Sequence, residues 1–339
     1  MAEILEFPGF IDVHVHFRDP GVPEAETRQS GAAAAYKGGM SGVVTMPNTT
    51  PAGDSVEWIR HQIEDTSLPI SIFPSACITV GRLGEKVAEL ERLADAGAAF
   101  FTDDGTFVTD AHVMEEAMKR AYKLDMVLSQ HALAPGFTEA DAIRRDLSIC
   151  RVAGARLHIQ HISTAEGVDL VRSAVKEGLP VTAEACPHHL LMCLDEIESL
   201  NGNHKMAPPL AHREDRDELR RAVKEGLLMF ATDHAPHPAA KKCLGYEKSA
   251  NGIIGLETAI AITYEVMVQT CGMEVEKWAE AWWKLPRTIL SRACEERVAA
   301  LEPTKIEVGE MKRFDLSKSV SLSRNCPYDG FMGRAWPCR

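Results

Sequence analysis

The chain has no CxxC pair, no run of lysines and arginines, and no long apolar stretch. Each absence removes a class of function. Without CxxC spacing, the nine cysteines form neither a zinc knuckle nor a disulfide framework, and an odd, scattered set points to reduced thiols and a cytoplasmic protein. Cys186 and Cys193 read as packing residues. Lys+Arg 37 against Asp+Glu 49 gives a formal charge of −12, so nucleic acid and anionic membranes are not expected partners. A small anion stays admissible, because a few local cations override a distant field. With no basic n-region and no apolar span, neither a signal peptide nor a transmembrane helix is expected. No repeat or low-complexity linker interrupts the chain, so a single domain over 1–339 is expected, and 45% hydrophobic residues supply one large core.

What is present begins with PGFIDVHVHFRDPG, starting at Pro8. Residues 10–17 read as a buried strand carrying His14 and His16. Side chains at i and i+2 leave a strand on one side, so two imidazoles depart together, close enough to share a cation. Arg18-Asp19-Pro20-Gly21 then breaks the strand.

The rest alternates. Strands are predicted at 42–46, 70–78, 98–102, 126–129, 156–160, 180–185 and 228–232. Helices fall between them at 27–37, 54–65 (capped by Asp54), 85–96, 110–123, 139–153, 165–177 and 215–224, with further helices at 255–268, 274–283 and 286–294. Eight strand–helix units predict an α/β fold, a closed (β/α)8 TIM-type barrel with its core over 8–300.

The polar residues fall at one end of these strands. His14 and His16 end the first, Asp104 follows the fourth, His131 the fifth, His161 the sixth and Asp233 the eighth. Barrel active sites lie at that face. Imidazoles and carboxylates suit zinc and similar divalent ions, and the set is large enough for one metal with an open position or two bridged metals. His188 and His189, beyond the seventh strand, are expected to support the site or the structure. Asp103 competes with Asp104 or caps the next turn. His112, His158 and His204 read as surface or core residues. The long loop 201–213, with Lys205, His212 and Arg213, is either solvated or in contact with substrate.

The opening motif, with MPNT at Met46, FTDDG at Phe101, QHIS at Gln160, ACPHHL at Ala185, APPL at Ala207, ATDHAPH at Ala231 and GLET at Gly255, resembles the dihydroorotases of the cyclic amidohydrolase superfamily. The resemblance implies that His14 and His16 hold one metal and His131 and His161 the other, one or two zinc ions per chain. Asp104 would bridge them where many relatives use a carboxylated lysine; no lysine stands at 100–105. Asp233 would be the remaining ligand and the catalytic proton carrier, and Arg18, Asn48 and His237 would bind a substrate carboxylate. The implied reaction closes N-carbamoyl-L-aspartate to dihydroorotate with loss of water. Such chemistry needs an acidified water, a polarised carbonyl and one base that takes and returns a proton.

Two departures matter. Relatives of this kind carry a small β-sandwich built from both chain ends. Here only seven residues precede Pro8 and the tail, 301–339, retains part of the other half, so the sandwich is expected to be reduced or missing. A homodimer, or a complex with a pyrimidine-pathway enzyme such as aspartate transcarbamoylase, would then cover the apolar surface. Ala207 stands where many relatives have Asn. The alternatives are a hydantoinase-like or allantoinase-like enzyme, which Arg18 argues against, and a non-catalytic homologue that supports aspartate transcarbamoylase, which the full ligand set argues against.

Overall fold

The computed structural model describes residues 2–65 and 67–338. β1 (Glu3–Phe7) precedes the opening motif. β2 (Phe10–Val15) is buried at every position, as a strand covered on both faces must be. β3 (Met40–Thr45) and β4 (Ser71–Pro74) continue a parallel sheet in the order β2-β3-β4. β5 (Val127–Gln130), β6 (Arg156–Ile159), β7 (Val181–Ala185) and β8 (Leu228–Phe230) form a second parallel sheet, again in chain order.

Two junctions join these sheets into a ring. Phe101 bridges Ala76 on one side and Leu128 on the other, and its carbonyl accepts from Ser129 N at 2.7 Å. Val15 bridges His234, whose carbonyl accepts from His16 N at 2.8 Å. The result is the predicted (β/α)8 barrel, with β2 its first strand. The fourth barrel strand differs from expectation: within 98–102 only Phe101 bridges both neighbours. Hydrogen bonds still reach both neighbours, from Ala99 N to Pro74 O (2.7 Å) and from Phe101 N to Val127 O (3.1 Å), while at the start of the segment Ser291 donates from Oγ to Ala98 O at 2.7 Å and from its N–H to Ala99 O at 2.9 Å. The third predicted strand is also shorter, since the N–H groups of Cys77 and Ile78 go to Gly53 O and to the Asp103 carboxylate.

Side-chain caps start several of the helices between strands. Thr27 and Ser30 form a capping box before Arg28–Lys37, and Thr138 and Thr164 cap Glu139–Ala153 and Ala165–Lys176. Ser55, not Asp54, caps Val56–Ile63; Asp54 instead accepts from Gly81 N at 2.7 Å. The expected helix at 85–96 begins only at Leu90. The one at 255–268 is α-helical over Ala259–Thr263 and π-helical over Tyr264–Thr270. At that junction Thr263 Oγ1 accepts from both Trp278 Nε1 (3.1 Å) and Trp282 Nε1 (3.2 Å). Those tryptophans lie on the helix Val275–Arg287, which runs on through Pro286, where two helices were expected. They close one end of the barrel against Phe10 and Phe230, with ring centroids 5.1 to 6.5 Å apart.

Both chain ends meet in a second, small sheet. β9 (Thr304–Arg313) lies between β1 and β10 (Met332–Pro337), all antiparallel. Thr304 ties it to the barrel, its Oγ1 accepting from Phe10 N at 3.0 Å and donating to Gly39 O at 2.9 Å. Among the described residues no helix is long and apolar enough to cross a membrane.

Candidate active site

The strand ends deliver the side chains. The pairing of β2 with β3 shifts register between Asp12 and Val15, an irregularity of the kind that re-aims side chains at barrel rims. The rings of His14 and His16 end 5.3 Å apart. His14 Nε2 lies 3.1 Å from Asp104 Oδ1 and 3.6 Å from Asp233 Oδ1. His16 Nε2 lies 3.0 Å from Asp233 Oδ1 and 3.3 Å from Asp104 Oδ2. His131 Nδ1 and His161 Nε2 are 2.8 Å apart, and each stands 3.8 Å from Asp104 Oδ1. All six groups expected at the strand ends therefore converge, and all six are buried. Arg18, His161 and Asp233 hold positive φ of 57°, 30° and 46°, a strained backbone that costs about 1–3 kcal/mol per residue and clusters at functional sites.

The donor set fits a cation. His14, His16 and Asp233 place one ligand atom each within 4.8 Å of one another, as do His14, Asp104 and His161. His14 Nε2 and Asp104 Oδ1, which face each other in the cluster, are buried and make no hydrogen bond, an arrangement native interiors avoid and a bound cation relieves. The other ring nitrogens are held from outside. His14 Nδ1 meets Glu184 Oε1 at 2.6 Å and His16 Nδ1 meets Asn48 Oδ1 at 2.8 Å, the outer bonds that fix a ligating imidazole. Glu184 also accepts from His161 N (3.1 Å) and contacts His158 Nε2 (3.0 Å).

Electrostatics follow from crowding. Burial pushes the Asp104 and Asp233 carboxyls up, but the neighbouring histidines outweigh it and hold both below the usual range. Burial lowers His14, yet Asp104 and Glu184 raise it well above the usual imidazole value. Burial and then Arg18 lower His16, and burial and His161 bring His131 down to about 3. Glu184, opposed by burial, is carried down to about 2 by His14 and His158.

Above this cluster opens a cavity of about 620 Å³, lined by His16, Asn48, Asp104, His131, His161 and Asp233 and also by Arg18, Ala207, His237, Asn251 and Gly252. Arg18, half-buried, donates from Nε to Pro236 O at 3.3 Å; burial lowers it to about 10, against the pull of Asp233 and Asp104, so it stays a cation. His237 Nε2 donates to Asn251 O at 2.6 Å. Asn48 and His237 thus line the mouth already engaged, the one orienting His16 and the other held by a loop.

Some expectations change. Asp103 does not cap the following turn; its carboxylate accepts from Ile78 N (2.9 Å) and Thr79 N (3.1 Å) and contacts Thr79 Oγ1. Lys205, His212 and Arg213 do not line the cavity: Lys205 donates to Glu247 O, and Asp195 accepts from His212 and Arg213. Of the loop 201–213 only Ala207 reaches the mouth. Sequence reasoning passed over Glu184, though a Glu in the buried strand VTAEA is itself a signal. It also missed Arg82, which donates to Asp104 O at 2.6 Å, and Lys242, whose Nζ donates to the carbonyls of Lys205, Ala250 and Gly252 at 2.7 to 3.0 Å.

A parallel barrel with converging histidines and aspartates at its C-terminal mouth defines a TIM-barrel enzyme with the residues for a metal centre. Solved structures share the fold: the L-hydantoinase (dihydropyrimidinase) of Arthrobacter aurescens superposes with a TM-score of 0.87 at 22% identity, covering 98% of this chain and 83% of that one. The dihydroorotase of Saccharomyces cerevisiae in complex with 5-fluoroorotic acid superposes at 0.79 with 15% identity, covering 99% and 98%. The sequence narrows the class. Residues 4–144 match the Dihydro-orotase-like family model. The dihydroorotase of Bacillus caldolyticus is 39% identical over 360 residues, 97% of this chain and 84% of the relative, and that of Bacillus subtilis is 35% identical over 363 residues, 98% and 85%. This chain belongs to the dihydroorotase family.

Proposed function

We propose that the protein interconverts N-carbamoyl-L-aspartate and L-dihydroorotate, the ring closure of pyrimidine synthesis, in the cytoplasm, where its nine unpaired cysteines stay reduced. The observation that carries this reading is Arg18. A fixed guanidinium shares one cavity with the histidine–aspartate cluster, so an anionic group on the substrate can be gripped while an amide faces the cluster.

His14, His16, Asp104, His131, His161 and Asp233 are the residues that would hold one or two divalent ions, with zinc the metal that this nitrogen and oxygen set suits. When bound, such ions acidify water and polarise a carbonyl. Asp233 stays ionised near neutrality, so in hydrolysis it accepts the proton from the attacking water. It returns that proton to the ring nitrogen as the amide C–N bond breaks. In the cyclising direction it takes the proton from the attacking carbamoyl nitrogen and delivers it to the departing water. Glu184 and Asn48 keep His14 and His16 aimed, and Arg18 fixes the carboxylate to one side, with His237 beside it.

The test is interconversion of the two compounds by purified protein before and after chelation, with zinc readdition. Activity lost with the metal and restored by it is the expected result. Full activity in metal-free protein, or none in the reloaded protein, would overturn the reading.

A further inference from the structure

Cys186, His188 and His189 follow β7, outside the cluster at the mouth, and none of them lines its cavity. Cys186 is 0%, His188 1% and His189 2% exposed. One ligand atom from each lies within 4.8 Å of the others, and the two imidazole rings are 4.2 Å apart at 60°. Pro187 begins the short helix Pro187–Leu191, so the chain turns sharply enough for residues i, i+2 and i+3 to meet.

The hydrogen-bond account is incomplete without a further partner. His189 Nε2 lies 3.1 Å from Pro208 O. A carbonyl only accepts, so Nε2 carries the proton and Nδ1 a lone pair, and that Nδ1 is buried with no partner. Both nitrogens of His188 are likewise buried and unpartnered. Native interiors rarely leave such atoms unsatisfied. An imidazole whose one nitrogen donates to a backbone carbonyl, leaving the other free, has the form of a metal-ligating histidine.

We propose that Cys186, His188 and His189 form a second metal site, beside the mouth cluster but not lining its cavity, for zinc or a similar borderline divalent cation. One thiolate and two imidazoles favour such an ion over magnesium or calcium. On binding, the Cys186 S–H bond breaks, its electron pair forms the metal–sulfur bond and its proton leaves to solvent. The ion would pin the β7 turn to the Pro208 loop behind the active site.

The mouth offers only nitrogen and oxygen, so sulfur is the discriminating signal. X-ray absorption at the zinc edge of the zinc-loaded protein is expected to show a sulfur scatterer at about 2.3 Å. Cys186→Ser should remove it and lower bound zinc by about one equivalent, while Asp233→Ala, altered at the mouth, should keep it. Cobalt(II) loading should give a thiolate-to-metal charge-transfer band lost in the same variant. A wild-type spectrum without sulfur overturns the proposal whatever the variants do. So does a sulfur signal that persists in Cys186→Ser and in His188→Gln. Because the readout is spectroscopic, it is decided independently of whether the loaded protein turns over dihydroorotate.

Discussion

Glu184 Oε1 stands 2.6 Å from His14 Nδ1, so a carboxylate on the seventh barrel strand fixes the ring of a histidine on the first. The same carboxylate accepts from the backbone N–H of His161. One side chain therefore orients a residue from each of the two histidine pairs. Glu184→Gln keeps the shape and removes the charge. Outer-shell changes of this kind lower metal affinity or activity about 10- to 100-fold, and competition for zinc against a chelator should show a loss in that range. Unchanged affinity would deny Glu184 this role.

Asp233 is held ionised by its histidine neighbours and faces the cavity. Its replacement by alanine should lower turnover by about 10²- to 10⁴-fold as a proton carrier is lost, with further loss where metal is shed. Turnover measured against bound metal separates the two effects. Near-normal turnover would assign the proton to another group.

Acid should reveal the Glu184–His14 pair in metal-free protein. A carboxylate whose folded value is depressed contributes stability that is present above its unfolded value and lost as pH falls. For Glu184 that window runs from the usual carboxylate range to about 2, a contribution on the order of 3 kcal/mol. Thermal melting between pH 6 and 3 should show a steep acid limb, flatter in Glu184→Gln. Parallel limbs in the two proteins would contradict the pairing.

Lys242 holds the loop that carries Asn251 and Gly252 into the mouth by donating to three carbonyls. Asn251 in turn holds His237. Lys242→Met should loosen the substrate side without touching the ligands, raising KM about 3- to 30-fold with a smaller effect on kcat. Steady-state kinetics decide this, and an equal fall in kcat at constant KM would argue against a positioning role.

The barrel and the six converging side chains were legible because they rest on local patterns: buried β-branched runs, helix caps, and polar residues just past each strand. What was not legible depends on contacts distant in sequence. At the start of the fourth barrel strand the carbonyls of Ala98 and Ala99 are taken by Ser291, far along the chain, and not by a neighbouring strand. The helix after Gly255 became π-helical where Thr263 meets two tryptophans of the next helix. Residues 3–7 pair with β9, some three hundred residues later. Glu184 reaches His14 170 residues away and Lys242 reaches Lys205 37 residues away, and no spacing rule extends that far.

The most direct test of the substrate assignment is the role of the Arg18 charge. Dihydroorotate carries a carboxylate on its ring, and hydantoin and allantoin carry none. The catalytic efficiency of the zinc-loaded protein should favour dihydroorotate by a wide margin. Loss of a charge-assisted paired contact costs roughly 2–4 kcal/mol, so Arg18→Ala should lower efficiency on dihydroorotate about 30- to 1000-fold while bound zinc stays the same. Equal efficiency on a ring without a carboxylate, or an Arg18→Ala variant as efficient as the parent, would contradict the account.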